Sequence, residues 1–386
     1  MFEDLELYDP SSLALIPWPS SADGHYAQKV LTPFLLEGSQ HFVQNANTQL
    51  FVLLCGEIVL PVTVNRSERG NSYVCSPFAH YVSYAKEELY ELKNPVLERV
   101  LAPVLEGLGA VLKAGQIDRV LHVGNWLLST NLYPQLSREH IERITRFLAQ
   151  KFPDSVVVWR SVVEVPLEGI TSPVSPQHFS TDFKLIPSRS VLFLNARAGT
   201  HGRKKDFKHD LKLLRSSAYQ LRPARAEDLG RIRDLYNLLY LDKYSRLNPQ
   251  FTPAFFELAF KTQMLELFVL EWAGLEQKGR VDGVLGFFSR GELMTCPVLG
   301  YDTSLPVEAG LYRILSAHLV LIAQKRGLIL HASSGVAAFK RSRGAVPALE
   351  VNAVFDAHLP LYRRVVWSLL EWTVKRAWRM LERRGL

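Results

Sequence analysis

Continuous apolar runs and helix-like patterns alternate along the chain. Residues 49–65 contain two apolar runs on either side of Cys55-Gly56-Glu57, which predicts two strands joined by a tight turn. Residues 96–114 instead repeat apolar side chains at helical spacing, which predicts an amphipathic helix. Further strands are predicted within 265–299 and another amphipathic helix within 309–326. Strands and helices in this alternation are typical of a mixed α/β fold.

The two halves of the chain repeat one order of elements. The first half has strands at 49–84, a helix at 95–114, a strand at 118–124, a helix at 137–150 and a strand at 155–163. The second half has strands at 265–299, a helix at 309–326, a strand at 328–331, a helix at 336–343 and a strand at 348–355. The letters do not match, so the repeat is one of architecture. One large α/β domain and two unrelated domains are the alternatives.

This repeat predicts a division of the chain into two similar domains with basic segments around the second. The predicted parts are an N-terminal segment (1–46), a first domain (47–200), a basic connecting helix (201–218), a second domain (219–360) and a basic amphipathic C-terminal helix (361–386).

The composition is that of an ordinary globular protein. The 386 residues are 47% hydrophobic and 22% charged, with a formal net charge of +7. No apolar run reaches the roughly 18 residues of a membrane-spanning helix. The first residues, MFEDLELYDP, are unlike a signal peptide. We therefore expect a cytoplasmic protein, and its modest basic excess suits a polyanionic partner.

The cysteine and histidine patterns favour neither a metal centre nor a covalent nucleophile. Cys55, Cys75 and Cys296 lie in apolar runs without C-x-x-C spacing, which indicates buried thiols. The 11 histidines form no H-x-x-x-H pair, and no G-x-S-x-G sequence occurs. We expect no metal and no cofactor.

Two pairs of polar residues mark the strands of the second half. Tyr301 and Asp302 follow a strand, where Asp302 can orient an amine or accept its proton; an Asx turn is the alternative. Glu350 and Asn352 share one face of the last strand, and a buried carboxylate is costly unless it is used. The alternative is the solvent-exposed face of an edge strand. We predict Asp302, Glu350 and Tyr301 as catalytic residues.

Aromatic and hydroxyl side chains are further candidates for substrate binding. A tyrosine-rich segment follows the first helix of the second half and can shape a pocket around a small polar molecule, although core packing would also explain it. The two serines after residue 331 can donate hydrogen bonds or can cap the next helix. The predicted substrate-binding residues are Tyr240, Lys243, Tyr244, Asn248, Tyr312, Ser333, Ser334 and Asn352.

Basic side chains concentrate in two stretches, one before the second half and one near its end. They can contact the phosphates of a nucleic acid, or they can form an ordinary solvated surface. The predicted phosphate contacts are Lys204, Lys205, Lys208, Lys212, Arg215, Lys340, Arg341 and Arg343.

Three segments resemble parts of one known family. The helix RPARAEDLGRIRDLYNLLY (222–240) is similar to the opening of a GNAT acyltransferase domain. The run HASSGVAAFKRSRGAVPALEVNAVFD (331–356) is similar to the late part of the fold in Fem-like N-acyltransferases. The segment LKLLRSS (211–217) resembles the basic helix that leads into the second Fem domain. The chain thus resembles the tandem-GNAT, Fem-type aminoacyl-tRNA-dependent transferases, in particular those of natural-product pathways.

This resemblance implies two tandem GNAT-like domains and an N-acyltransferase. The expected reaction moves an aminoacyl group from tRNA to the nitrogen of a small amine or hydroxylamine, without a covalent enzyme intermediate. GNAT enzymes hold the pyrophosphate of acetyl-CoA on a Gly-rich turn, whereas the turn at 301–310 carries Pro306 and two carboxylates, and its counterpart at 85–95 has no glycine. These departures favour a tRNA-borne donor, and an acyl-CoA or acyl-carrier donor is the alternative.

The C-terminal helix combines basic and aromatic residues. Residues 361–386 contain seven arginines and lysines, two glutamates and three tryptophans. Such a helix can lie on an anionic membrane or on RNA, or it can pack on its own domain or a second subunit. A non-catalytic RNA- or membrane-surface-binding protein is therefore the alternative of another class.

Overall fold

The computed structural model describes residues 4–87, 89 and 95–383. Its strands are β1 (Leu5–Tyr8), β2 (Gln49–Cys55), β3 (Ile58–Arg66), β4 (Arg119–Val123), β5 (Val156–Val163), β6 (Lys184–Leu194), β7 (Tyr219–Pro223), β8 (Glu266–Trp272), β9 (Val281–Arg290), β10 (Leu293–Tyr301), β11 (Ile329–His331) and β12 (Val346–Phe355). Within these residues they form one twelve-stranded sheet in the order β1-β2-β3-β4-β5-β12-β6-β11-β10-β9-β8-β7.

Helices cover both faces of this sheet. The α-helices are α1 (Ala22–Glu37), α2 (Ser39–Phe42), α3 (Ala85–Glu87), α4 (Pro95–Ala114), α5 (Arg138–Lys151), α6 (Lys205–Ser216), α7 (Leu229–Asn237), α8 (Pro253–Thr262), α9 (Leu311–Lys325), α10 (Ala337–Ser342) and α11 (Leu361–Arg383). Two further segments, Ala79–Tyr84 and Leu238–Tyr244, are π-helical. π-helical turns are rare in proteins, and one of these two segments lies in each half.

The two halves exchange strands at the centre of the sheet. β12 of the second half lies between β5 and β6 of the first half, and β6 in turn pairs with β11 of the second half. The register places Glu350 directly opposite Arg189. The halves therefore share one continuous sheet, and the predicted limits of the two domains stay a prediction.

Each half contains one parallel strand pair joined by a helix. β4 and β5 are parallel and are connected through α5, and β10 and β11 are parallel and are connected through α9. The other pairs in the described sheet are antiparallel. The predicted mixed α/β fold class is therefore confirmed, and one parallel pair lies in each half.

Two predictions about the first half are wrong. The helix that corresponds to α9 is α5, not α4, because α4 connects the antiparallel strands β3 and β4. Residues 73–84 do not form a strand. Ser76 Oγ accepts from the Ala79 N–H at 2.9 Å, and the Phe78 N–H donates to Asp118 at 2.9 Å, so this backbone turns into a helix instead of pairing. The predicted counterpart turn at 85–95 lies mostly outside the described residues.

Alternation along the strands separates two core layers. In β12, Glu350, Asn352 and Val354 point to one face, and Val351 and Ala353 point to the other. On the first face the core packs against α1, α7 and α8, and further along against α4 and α11. On the second face it packs against α5 in the first half and against α6 and α9 in the second. The first of these faces carries the polar residues described below.

The loop after β4 is tightly packed, and glycine is required at its start. Gly124 has a φ of 68°, and a Cβ there would lie 2.3 Å from the Tyr133 ring.

We expect Gly124→Ala to lower the free energy of unfolding by about 2 kcal/mol, because of strain and crowding at a left-handed position. Gly107→Ala is the matched control, because no atom lies within 4 Å of its added Cβ. It lies inside α4 and should stabilise by about 0.5–1 kcal/mol. Denaturant unfolding measures both, and equal effects would contradict the packing described.

Candidate active site

A row of polar residues crosses the centre of the sheet on one face. Strand alternation and the strand register bring together side chains from both halves, next to the apolar core of this face. The buried members are His122 on β4, Arg160 on β5, Glu350 and Asn352 on β12, His331 on β11 and Thr295 on β10. Arg189 on β6, whose side chain is 15% exposed, completes the row. Buried polar groups are costly unless they are paired, so this row is the first candidate for a functional site.

An ion pair between the halves lies at the middle of the row. Arg189 Nε and Nη2 donate to the two carboxylate oxygens of Glu350 at 2.9 and 2.8 Å. Burial by itself raises the pKa of Glu350, but the guanidinium outweighs burial and holds that pKa below its usual value. Glu350 is therefore ionised and fully engaged with Arg189, which makes it a poor proton acceptor.

Two β-bulges direct further polar side chains toward this pair. β6 has an extra residue, Ser188, opposite β12, and β5 has an extra residue at Arg160-Ser161. Ser188 Oγ lies 3.3 Å from Glu350 Oε1 and 3.1 Å from His80 Nε2. Bulges commonly re-aim side chains next to functional sites. Here the two bulges place polar residues of β5 and β6 near the Arg189–Glu350 pair, where Ser188 also meets His80 of the π-helix Ala79–Tyr84.

The histidines of this region are held neutral. Burial lowers the pKa of His80 to about 3 and that of His331 to about 4. His331 Nδ1 accepts from the Ser333 N–H at 3.1 Å, so Nε2 carries the ring proton. A neutral His331 in this tautomer can donate a hydrogen bond from Nε2 but cannot accept a proton there.

The parallel pair of the second half separates at its carboxyl end. β10 pairs with β11 only from Leu293 to Thr295, and β11 ends at His331 while β10 continues to Tyr301. We call the space between the diverging strands the β10–β11 opening. Cys296 and residues 332–336 at its edge are exposed or half-buried.

Lys340 lies at this opening without a carboxylate partner among the described residues. Its ammonium donates to the carbonyls of Ala332 and Ser334, each at 2.6 Å. Burial, together with the charge of Arg189, lowers the pKa of Lys340 to about 8. The loop that it holds is strained, because Ser333 and Val336 have φ angles of 59° and 40°. A strained loop around a cation of unusual pKa is typical of a functional site.

An aromatic cluster borders the same opening. The Tyr312 ring lies 4.9 Å from that of Phe339 and 6.2 Å from that of Tyr301. Lys243 Nζ lies 5.9 Å from the Tyr301 ring and 6.0 Å from the Tyr244 ring, and Tyr244 in turn contacts Tyr240. The structure thus brings together most of the predicted substrate-binding tyrosines.

The corresponding space in the first half is filled by the chain itself. Residues 124–133 follow β4, and all of them except Ser129 are buried. The Tyr133 hydroxyl lies 2.9 Å from the Val123 carbonyl and 2.7 Å from the Arg160 carbonyl, and so bridges the ends of the parallel strands. Among the described residues, the carboxyl end of the first-half pair is therefore covered, whereas residues 332–336 beyond β11 are exposed or half-buried.

Two predicted site residues, Asp302 and Asn248, form hydrogen bonds with neighbouring parts of the protein. Asp302 accepts from the Ser304 N–H at 2.9 Å and from Arg231 at 2.6 Å, as in an Asx turn with an ion pair. The Asn248 side chain donates to the carbonyls of Tyr240 and Ser245 and holds the end of the π-helix. The predicted roles of both residues stay predictions.

The predicted phosphate contacts separate into three groups. Arg343 binds Asp210 and lies over the Phe339 ring, and Arg341 is exposed. Lys340 is at the opening. The remaining basic residues, all exposed on or next to α6, are Lys204, Lys205, Lys208, Lys212 and Arg215.

The C-terminal helix α11 is only partly covered. Trp367 is buried against the sheet, whereas Trp372 is 62% exposed. Contact with a membrane surface stays a prediction. In the part of the chain that the structure describes, no helix is both long and apolar enough to cross a membrane. The same residues contain no group of three or more potential metal ligands.

Sequence reasoning missed Arg160, Arg189, His80 and Phe339. Arg160 is the single charge of the largely apolar strand β5, and Arg189 lies in the middle of β6, whose other charge, Lys184, is at its first residue. A charge inside a largely apolar strand is a usable signal of a buried ion site. His80 was missed because residues 73–84 were wrongly predicted to form a strand. Nothing in the sequence near Phe339 distinguishes it from an ordinary core residue.

Solved structures provide the comparison with known proteins. The structure of FemX is similar over 59% of this chain and 79% of its own, with 10% identity and a TM-score of 0.45. A tandem GNAT protein from the clavulanic acid biosynthesis pathway is similar over 92% and 99%, with 11% identity and a TM-score of 0.40. L-PGS from Bacillus licheniformis is similar over 66% and 83%, with 11% identity and a TM-score of 0.43. No protein-family profile matches the chain, and no curated protein matches its sequence. Fem and tandem GNAT structures are thus among those similar to this chain, in line with the resemblance of its sequence.

Proposed function

We propose that the protein is an N-acyltransferase whose reaction takes place at the β10–β11 opening. The observation that carries this proposal is the contrast between the two parallel pairs. Residues 124–133 fill the space beyond β4 and β5, whereas the opening beyond β10 and β11 is accessible and is bordered by Lys340 and by tyrosines. Ligands commonly bind at the carboxyl ends of diverging parallel strands.

The chemistry requires an amine, an activated acyl group and donors for the charge that develops on oxygen. The amine nitrogen attacks the acyl carbonyl carbon, a C–N bond forms, the bond from that carbon to the donor breaks, and the amine proton passes to the leaving group. In this proposal the Lys340 ammonium, two of whose N–H groups donate to the carbonyls of Ala332 and Ser334, donates its third to the carbonyl oxygen or to the leaving group. Positioning of the amine supplies most of the remaining acceleration.

Direct transfer fits the groups around the opening. Burial raises the pKa of the Cys296 thiol to about 12, so this cysteine stays protonated and is a poor nucleophile. Glu350 is paired with Arg189, and Asp302 is paired with Arg231. With these groups engaged, the acyl group passes from donor to amine without an enzyme-bound ester or thioester.

The proposed donor is an aminoacyl-tRNA, and the proposed acceptor is a small amine or hydroxylamine. α6 supports the choice of donor because Asp210 is buried against Arg313 and Arg343, whereas the lysines of this helix face solvent. α6 also packs along α9, with Leu213 next to Gly310 at the start of that helix. An acyl-CoA or acyl-carrier donor is the alternative.

We expect reversal of charge on α6 to weaken tRNA binding. The variant Lys208→Glu/Lys212→Glu should lose about tenfold in affinity near physiological salt, and its slope of log affinity against log salt should fall by about two. The matched control is Lys29→Glu/Lys278→Glu, which makes the same change in charge at exposed residues away from α6. A filter-binding titration at several salt concentrations measures both. Equal losses in the two variants would contradict a specific role for α6.

The donor is identified by supplying charged tRNA pools and a panel of acyl-CoAs separately, with small amines as acceptors. Mass spectrometry should detect an acylated amine with charged tRNA. Product from acyl-CoA alone would contradict the tRNA donor but retain the acyltransferase. Binding of tRNA without product from any donor would instead favour a non-catalytic RNA-binding protein.

A further inference from the structure

A small cavity lies behind the ion pair, on the side of the first half. It has a volume of about 10 Å³ and is enclosed by the π-helix Ala79–Tyr84, the strands at the centre of the sheet and α11. This volume accommodates roughly one water-sized particle. Six of its lining residues matter here: His80, Tyr81, His122, Arg160, Ser188 and Trp367.

The charges around this cavity do not balance. Arg160 is 6% exposed, and no carboxylate of the described residues lies within salt-bridge distance of its guanidinium. Its Nη1 donates to the neutral amide oxygen of Asn125 at 2.9 Å. Glu350 already neutralises Arg189. Because a guanidinium does not lose its proton in a protein, one positive charge remains buried without a counter-ion.

The polar groups beside Arg160 are suited to an anion. The Asn352 side chain donates to the Tyr81 hydroxyl oxygen at 2.8 Å, which leaves the hydroxyl hydrogen for another acceptor. His122 is 2% exposed, and its Nδ1 has no hydrogen-bond partner among the described residues. Burial keeps the rings of His80 and His122 neutral, so neither contributes a charge to the cavity. The Tyr81 hydroxyl, the His122 ring and Trp367 Nε1–H, which likewise has no partner among the described residues, can donate hydrogen bonds to a ligand.

We propose that this cavity binds a small monovalent anion between Arg160, His122 and Tyr81. A cavity that holds about one water-sized particle restricts the ligand to a single monatomic ion, so a halide such as chloride is the proposed ligand. Its chemistry is one negative charge on a compact acceptor. The site lies apart from the β10–β11 opening, and the proposal does not depend on acyl transfer.

Thermal unfolding in different sodium salts tests this site. Sodium methanesulfonate, whose anion is too large for the cavity, keeps the ionic strength constant while chloride, bromide or acetate replaces it. We expect a saturable rise of about 2–4 °C in the unfolding temperature with chloride or bromide, as binding to the folded state requires. Acetate is also too large for the cavity and should behave like methanesulfonate. A rise with acetate alone, or an unfolding temperature that is the same in all four salts, would overturn the proposal.

Substitutions at the cavity test whether the anion raises the unfolding temperature by binding there. Arg160→Met should remove the response to the anion, whereas Lys212→Met, which removes an exposed lysine of α6, should retain it. If Arg160→Met does not fold, Tyr81→Phe keeps the aromatic ring and should shift half-saturation to at least about threefold higher anion concentration, since one donor is lost. In bromide-soaked crystals an anomalous peak is expected in the cavity. An unchanged response in Tyr81→Phe, or bromide peaks only at the surface, would contradict the site.

Discussion

Arg189→Met is expected to lower the free energy of unfolding by about 3–5 kcal/mol. The substitution leaves Glu350, which is 2% exposed, as an unpaired carboxylate at the centre of the sheet. Protonation of Glu350 relieves part of this loss in stability, because it removes the buried charge. A protonated carboxyl group, however, accepts a weaker hydrogen bond from Ser188. Denaturant unfolding at pH 7 with circular dichroism measures the effect.

Two further variants test whether burial of the Arg189–Glu350 pair causes the expected loss of stability in Arg189→Met. Lys261→Met breaks the exposed pair with Glu257, whose side chains are 71% and 55% exposed, and should change the free energy of unfolding by less than about 1 kcal/mol. The double variant Arg189→Met/Glu350→Gln should be more stable than Arg189→Met, because the buried charge is gone. A loss in Arg189→Met no larger than in Lys261→Met would contradict the buried pair.

Acidification is expected to destabilise the protein steeply below pH 6.5. The pKa values of His80 and His331 are about 3 and about 4 in the folded state, against 6.5 in an ordinary histidine. Between pH 6.5 and 4 the unfolded chain therefore binds protons that the folded chain does not, and the free energy of unfolding falls as the pH falls. Two such histidines give about 2.7 kcal/mol per pH unit in this window. The pKa of His122 is lowered as well and acts in the same direction.

Measurements between pH 6.5 and 5 exclude Glu350, which contributes only near and below the ordinary pKa of a glutamate, about 4.3. Burial also lowers the pKa values of His201, His318 and His358, so variants are needed to separate the contribution of His80 and His331. His80→Gln and His331→Asn keep an acceptor near the original ring nitrogens but do not titrate. The variant that carries both should show a slope smaller by about 2.7 kcal/mol per pH unit. A free energy of unfolding that stays constant between pH 6.5 and 5 would contradict the neutral buried histidines.

Much of the fold was predictable because strands and helices leave strong periodic patterns. The apolar run at 49–65 and the helical spacing at 309–326 correspond to β2, β3 and α9. The strand prediction for 73–84 is wrong because the aromatic and β-branched residues there resemble a strand. In the structure, Ser76 Oγ and the Asp118 carboxylate accept hydrogen bonds from the backbone N–H groups of Ala79 and Phe78, and these bonds decide the conformation. A pattern of hydrophobicity does not reveal such side-chain contacts with the backbone.

The site was only partly predictable because it depends on contacts between distant segments. Glu350 stood out as a carboxylate on an apolar strand, but its partner Arg189 lies 161 residues away in the sequence. The strand exchange that joins them is a property of the whole sheet. The clustering of Tyr301, Tyr312 and Lys243 likewise requires the sheet and two helices to be in place.

The central claim is that acyl transfer occurs at the β10–β11 opening, and an assay of Lys340→Met tests it most directly. The wild-type protein, Lys340→Met and the exposed control Lys29→Met are each supplied with charged tRNA or acyl-CoA and a panel of small amines. We predict acylated amine from the wild type and from Lys29→Met, and a rate about 100-fold lower in Lys340→Met, as the loss of one donor to a developing oxyanion produces. Circular dichroism must show that all three are folded. Equal rates in Lys340→Met and the wild type, or no product from the wild type with any donor, would contradict the account.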